Sequence, residues 1–289
     1  MTYVLHLGVM VSLYIVVAIS LNLVMGYMGL LSACHAAFYG IGAYSATLLV
    51  MRGHWTFAAS LAGTIVVAAV CATCIGLPSL RLRGDYFVLA TLGFQIIVFS
   101  ALYNWTDLTN GPNGIPGIPP PRLTGIVLST SGRYLVAVSV MAAIVAVLAF
   151  ALVVSPFGRL MEAIRDDDVA AASLGKNAMS IRLTAFVVGA CLVAIAGAFY
   201  AGYASYIDPT SFDVMESIFM ISIVAIGGAG SLRGPVVGAI VLVLLPEGLR
   251  FLRIPDEIAA NLRQVIYGIA LVVFMRLRPR GIIGKYAFD

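Results

Sequence analysis

Long apolar runs separated by short polar intervals account for nearly the whole chain. A helix that crosses a bilayer needs roughly 20 mainly apolar residues. On that measure the pattern predicts nine spans, at about 3–25, 31–51, 56–79, 86–103, 134–154, 183–206, 215–231, 234–253 and 259–276. Only Gly227-Gly228-Ala229-Gly230-Ser231 separates the seventh from the eighth, and this break reads either as a tight turn or as irregular backbone at a gate. The expected architecture is all-α: a polytopic transmembrane helical bundle of about eight or nine spans, forming one domain over 1–289.

Two polar intervals stand apart. The first, 155–182, lies between strongly apolar segments and still reads as helical. Phe157, Leu160, Met161 and Ile164 recur at i, i+3, i+4 and i+7, one face of a helix. Asp168 is expected to cap a second short helix running to Leu174, with Gly175 just past its end. Two short helices on the face of a membrane protein make a rigid docking surface, which points to a membrane subunit driven by a soluble partner. The second interval, 104–133, carries Asn110-Gly111-Pro112-Asn113-Gly114 and prolines at 119–121. Such a segment forms turns and extended backbone. It reads either as a linker or as a contact surface on the outer face.

Composition agrees with the pattern. The chain is 61% hydrophobic and 10% charged, and its mean hydropathy is +1.03. A soluble domain cannot hide that much apolar surface. The net charge of +4 sits on loop arginines, so membrane orientation explains it and no nucleic-acid partner is expected. No charged leader followed by a cleavage site precedes the first apolar run, which is expected to be retained. With 155–182 in the cytoplasm, alternating spans put Arg81, Arg83, Arg159, Arg165, Lys176, Arg182, Arg233, Arg276, Arg278, Arg280 and Lys285 inside. Arg52, Arg122, Arg133, Arg250, Arg253 and Arg263 are left outside or near the outer surface. This positive-inside bias places the amino terminus outside and the carboxyl terminus in the cytoplasm.

No catalytic constellation emerges. The phosphate-cradling G-x-x-x-x-G-K-[ST] is absent, so the chain is not expected to be an enzyme or to hold nucleotide. His6, His35 and His54 are too scattered for a metal site, and no cofactor is expected. Cys71-Ala-Thr-Cys74 has redox-pair spacing but reads as small residues packed between helices. Asp85, Glu216 and Glu247 fall near span ends. Ion-coupled transporters usually carry an ionisable group at mid-membrane, so this pattern argues against that class. The second span interleaves polar and small residues: Ser32, His35, Tyr39, Gly40 and Gly42 follow Asn22 and Gly26. Small residues let helices approach closely. His35 and Asn22 each read either as a helix-to-helix tether or as the lining of a polar path.

These residues resemble the permease subunits of branched-chain amino acid ABC importers, nearly end to end. The resemblance runs through Leu21-Asn22-Leu23, Gly26-Tyr27-Met28-Gly29, His35 to Tyr44, Arg83-Gly84-Asp85-Tyr86-Phe87 and the Asn110-Gly111…Asn113-Gly114 loop. It continues through Phe157-Gly158-Arg159, Ala163-Ile164-Arg165, Ala170-Ala171, Leu174-Gly175, Gly227 to Ser231 and Arg278-Pro279-Arg280-Gly281. The Arg-Gly-Asp-Tyr-Phe block and the Asn-Gly loop resemble the M-type subunit. The resemblance implies a bacterial inner-membrane permease paired with a second related permease, two cytoplasmic ATPases and an external, periplasmic substrate-binding protein.

It also implies site residues. ATPase docking would fall to Arg159, Glu162, Arg165, Asp168, Ala170, Ala171 and Gly175. The translocation path would involve Asn22, Ser32, His35 and Tyr39, and a gate or hinge Gly227, Gly228, Gly230 and Ser231. Asp107, Asn110, Asn113 and Arg122 would meet the binding protein. The general importer pattern Glu-Ala-Ala-x-x-x-Gly is departed from, since Val169 precedes Ala170-Ala171. Members of the family commonly carry an extra amino-terminal span, so this chain, opening on the span before Gly26, is expected to be shorter or truncated. The competing reading is a stand-alone secondary transporter or channel for a small polar solute, and a third is a scaffold subunit.

Overall fold

A computed structural model describes residues 2–82, 84–123, 126–250, 268 and 281–284. The expected span 259–276, apart from residue 268, and the charges at Arg83, Arg253, Arg263, Arg276, Arg278, Arg280 and Lys285 lie outside the described residues. The chain folds as α1 (Thr2–Asn22, continued by a π turn, Leu23–Tyr27), α2 (His35–Met51), α3 (Phe57–Ser79), α4 (Asp85–Asn104) and a short α5 (Thr106–Thr109). Then follow α6 (Ser131–Val154), α7 (Pro156–Asp166), α8 (Asp168–Ser173), α9 (Ala178–Ala204), α10 (Val214–Gly227) and α11 (Arg233–Arg250). Four two-residue strands qualify the all-α expectation. β1 (Ile115–Pro116) pairs antiparallel with β4 (Tyr206–Ile207), and β2 (Arg122–Leu123) with β3 (Ile126–Val127).

Among the described residues, six helical segments are long and apolar enough to cross a membrane: Tyr3–Tyr27, Phe57–Ser79, Asp85–Asn104, Ser131–Val154, Ala178–Ala204 and Pro209–Gly227. One expected span is shorter than its apolar run. α2 has 17 residues and opens at His35 rather than near 31, because Gly29 takes φ +71° and the chain stays irregular up to Cys34. The glycine break is a turn: Gly228 (φ +111°) and Gly230 (φ +74°) take backbone conformations that ordinary side chains resist.

Helices α3, α4 and α6 turn large apolar side chains outward, with Val66 62%, Ile97 65% and Val147 66% exposed. In water such surfaces would be a liability; in lipid they are the wetted face. The interior is organised by α9, which packs against α2 and α3, and by α1, which packs against α6, α10 and α11. Lipid gives helices no hydrophobic reason to associate, so close backbone approach matters more than in water. At the α2–α9 crossing Gly42 lies on the Ala194 backbone and Gly197 on the backbone of Tyr39 and Ala43. A Cβ on Gly42 would stand 2.6 Å from the Ala194 carbonyl carbon, with only backbone to give way.

Gly42→Val is therefore expected to destabilise the protein by about 1–3 kcal/mol or more, read as a lower unfolding temperature in detergent. Gly93 on α4 has nothing within 4 Å of the corresponding position. Gly93→Ala should leave the temperature unchanged or raise it slightly, since alanine favours the helix by roughly 0.5–1 kcal/mol.

Candidate functional site

One end of the bundle carries α7 and α8. Ser155 starts α7: its Oγ accepts from Phe157 N at 3.2 Å and Gly158 N at 3.4 Å, with Pro156 at the first helical position. The amphipathic face read from the sequence is the one that packs, with Met161 and Ile164 buried. The cap of α8 differs from expectation. Asp167, not Asp168, takes the extended backbone, and its Oδ1 accepts from Val169 N and Ala170 N, both at 2.9 Å. Asp168 falls in the first turn and pairs with Arg182 of α9 at 3.2 Å, tying α8 to that helix. Ala171 is buried, while Val169 is 64% and Leu174 79% exposed. Ala170 is also exposed. Gly175 ends the helix with φ +74°. Arg159 is exposed and donates to the Val154 carbonyl at 3.2 Å, and Glu162 is partly buried. Arg165 reaches inward instead, donating from Nη1 to the Gly26 carbonyl in the π turn.

That contact leads into a second cluster. Asn22 is fully buried. Its Oδ1 accepts from Gly230 N and its Nδ2 donates to the Ser231 carbonyl, both at 3.0 Å. Ser231 Oγ accepts from Gly234 N at 3.0 Å and donates to the Ile283 carbonyl. Residues 282 and 283 bond in turn to the Ile226 and Gly227 carbonyls, at 2.9 and 3.0 Å. Asn22, Gly227, Gly228, Gly230 and Ser231, assigned separately to path and hinge from the sequence, are one knot.

Ser32, His35 and Tyr39 lie deeper in the bundle. Ser32 Oγ and Cys34 Sγ are 3.3 Å apart. The open N–H groups at the start of α2 are taken by side chains: Ala36 N donates to Ser217 Oγ at 3.1 Å, and Ala37 N to Gln95 Oε1 at 2.6 Å. Gln95 Nε2 donates to the Phe212 carbonyl at 2.7 Å. His35 is 1% exposed, and neither ring nitrogen has a hydrogen-bond partner among the described residues. Tyr39 packs tilted against Tyr200 and edge-on against Phe212, with ring centres 5.4 and 5.5 Å apart. Sequence reasoning missed Gln95; a lone amide in an apolar helix, which must find partners if buried, was the available signal.

Glu216 stands near the start of its helix, as the sequence pattern put it: it is in the first turn of α10, and its N–H donates to the Asp213 cap at 2.9 Å. Its partner is the phenol of Tyr14, which donates to Oε1 at 2.7 Å. Tyr14 is one residue from the middle of Tyr3–Tyr27.

At the opposite end, 104–133 is pinned rather than loose. Arg52 Nη2 donates to the Asp107 carbonyl at 2.7 Å. Asn110 takes φ +62° and its Nδ2 donates to the Gly114 carbonyl at 2.6 Å. The Asn113 carbonyl accepts from Tyr206 at 3.2 Å, beside the β1–β4 pairing. Arg122 is exposed and borders a cavity of about 600 Å³ with His54, Trp55 and the prolines at 119–121.

Six helical segments long and apolar enough to cross a membrane, a helix pair at one end and a pinned loop at the other are the features of a multi-pass membrane protein. The sequence matches the family described as "Branched-chain amino acid transport system / permease component" over residues 3–275. It is 35% identical to the high-affinity branched-chain amino acid transport system permease protein LivM of Salmonella typhimurium, covering 96% of this chain and 69% of the relative. The Escherichia coli LivM is 34% identical over the same shares. The Escherichia coli LivH permease is 24% identical, over 95% of this chain and 92% of its own. No solved structure matches. The chain belongs to the branched-chain amino acid transport permease family.

Removing the Asn22 amide leaves the buried Gly230 N–H without its acceptor. Asn22→Ala is expected to cost about 2–3 kcal/mol, measured as a lower unfolding temperature in detergent. An unchanged temperature would mean that the knot does not hold the α10–α11 turn.

Proposed function

We propose that this chain is the transmembrane permease of a bacterial ABC importer that moves leucine, isoleucine, valine or related amino acids inward by ATP-driven alternating access. It sits in the inner membrane with its amino terminus outside and its carboxyl terminus in the cytoplasm. A second related permease completes the pathway, two cytoplasmic ATPases drive it, and an external substrate-binding protein delivers the substrate. The chain itself performs no catalysis. The observation that carries this reading is the α7–α8 pair, a capped and anchored double helix that leaves Val169, Ala170 and Leu174 uncovered. Relatives named as branched-chain amino acid permeases support the substrate class.

The geometry supports a route for the motion. Closure of the ATPase dimer pushes α8. Asp168–Arg182 passes that push to α9, and Arg165 passes it to the foot of α1. Asn22 carries it on to the α10–α11 turn. Gly227, Gly228, Gly230 and Ser231 then act as the hinge, and Arg159 and Glu162 flank the ATPase contact with Ala171 and Gly175 behind it. Ser32, His35 and Tyr39 give the path a sparse polar lining suited to admitting and releasing a zwitterion. On the outer face Asp107, Asn110, Asn113 and Arg122 belong to the surface that meets the binding protein. A stand-alone secondary transporter is the second reading, and the Tyr14–Glu216 hydrogen bond, beside the middle of Tyr3–Tyr27, is the observation in its favour. Co-purification of an ATPase and a second permease separates the two.

Gly175→Val tests coupling. A β-branched residue at φ +74° is strained by about 1–3 kcal/mol, although nothing crowds the site. The variant should insert in the membrane but lose ATPase binding or transport-coupled hydrolysis; a normal transport rate would remove α8 from the drive. Topology is tested with single cysteines at Asn113 and Ala172 in a background lacking the native four. They should label from opposite sides, the first from outside. His35→Leu should assemble with unchanged thermal stability, since neither nitrogen has a bond to lose among the described residues, and should lower the uptake rate. Lost stability would make His35 a tether instead, and unchanged uptake would take it off the path.

A further inference from the structure

The end of the bundle that carries α7 and α8 also holds a cavity of about 340 Å³, between the end of α3, α8 and the start of α9. Leu80, Ala172 and Met179 give it apolar walls, and its charged groups among the described residues are Arg81, Asp168 and Arg182. Asp168 is already engaged, since its Oδ2 accepts from Arg182 Nη2 at 3.2 Å. That bond also holds the Arg182 side chain in place. Arg81 is exposed at the rim. Two guanidinium groups therefore share one carboxylate, and the cavity favours an anion.

The surface beside the cavity decides the kind of anion. Val66, Val70, Cys74 and Leu77 are spaced by four, four and three residues, which makes them one stripe of α3. All four are exposed, Val70 at 56% and Leu77 at 44%. Arg81 follows Leu77 by four residues, carried past the end of α3 by turns in which Leu80 N donates to the Gly76 carbonyl and Arg81 N to that of Pro78. An apolar, lipid-wetted track thus ends on a guanidinium, with the cavity at its foot. A phospholipid has both halves of this pattern, acyl chains for the track and a charged headgroup where the helix leaves the hydrocarbon. Arginine matches phosphate oxygens two at a time, and basic pockets between transmembrane helices take such headgroups. A free phosphate, or a carboxylate of a soluble partner, would use the arginines and leave the track bare. We propose that this cavity binds an anionic phospholipid, its phosphate held by Arg81 and Arg182 and an acyl chain lying along Val66, Val70 and Leu77. Nη2 of Arg182 stays on Asp168 while Nη1 turns to the phosphate. Since Asp168 and Arg182 tie α8 to α9, the bound headgroup braces α8 against the membrane surface. The site goes beyond the transport reading and does not depend on which solute is carried.

The test is native mass spectrometry of the purified full chain, with phosphatidylglycerol or phosphatidylcholine of matched acyl chains added to the detergent. The wild type should retain one phosphatidylglycerol in preference to phosphatidylcholine. Arg81→Gln should weaken that retention by about tenfold, the worth of one charge-assisted contact, with an unchanged unfolding temperature when no lipid is added. Arg133, exposed at the far end of α6, is the control, and Arg133→Gln should retain the lipid as the wild type does. Equal retention of the two lipids, or an Arg81→Gln variant that binds like the wild type, overturns the proposal. An equal loss with Arg133→Gln shows only diffuse attraction to charge. Displacement of the lipid by inorganic phosphate at equal concentration shows a site for the free ion. Arg81→Gln that keeps the lipid but no longer co-purifies with an ATPase assigns the cavity to an acidic group of that partner.

Discussion

The bundle is organised around the crossing of α2 and α9, where Gly42 and Gly197 let two helix backbones touch. Lipid gives apolar helices little reason to prefer one another over acyl chains. Their association rests on van der Waals packing at close range, which the two missing Cβ atoms allow. Once α2 is fixed against α9, the rest of its position follows. Tyr39 is brought against Tyr200, Gly40 against Phe212, and the start of α2 against Gln95 and Ser217. A helix that began a turn earlier or later would leave those N–H groups bare in a medium with no water to satisfy them.

Polar groups act as fasteners rather than as a core. Gln95 closes the opening of α2 onto α4 and Phe212, Asn22 closes α1 onto the α10–α11 turn, and Arg165 and Asp168 fasten α7 and α8 to α1 and α9. Each is a side chain bonded to backbone or to an opposite charge, which is how a buried polar group offsets its desolvation. Among the described residues, the buried ring nitrogens of His35 and the hydroxyl of Tyr44 depart from the pattern, with no hydrogen-bond partner. Glu216 keeps to the pattern, since the Tyr14 phenol ties it, and with it α10, to α1.

Much of the design was readable from residue order. The spans, the amphipathic face of α7 and the positive-φ glycine after α8 follow from periodicity and from local steric rules, and these act over a few residues. Met161 and Ile164 are buried because the 3.6-residue repeat put them on one side. Other features are not local. Three aspartates in a row cap equally well in isolation, and Asp167 holds the position because Asp168 is drawn to Arg182, fourteen residues away.

Glu216 makes the same point at the scale of the membrane. Sequence alone determined that it belongs to an apolar helix, but its depth depends on where that helix begins. The chain after α9 forms β4 and then a 3-10 turn, Pro209–Phe212, bonded to Gln95, before Asp213 caps α10, and this sets Glu216 against Tyr14 near the middle of α1. Likewise the sequence showed Asn22 and Arg165 as polar residues in or beside spans, whereas their partners on Gly230, Ser231 and Gly26 were decided by tertiary structure. Hydrophobic patterning fixes which residues enter the bilayer because transfer free energy is a property of each side chain. Which polar groups meet inside is a property of how helices cross, and only the folded bundle supplies it.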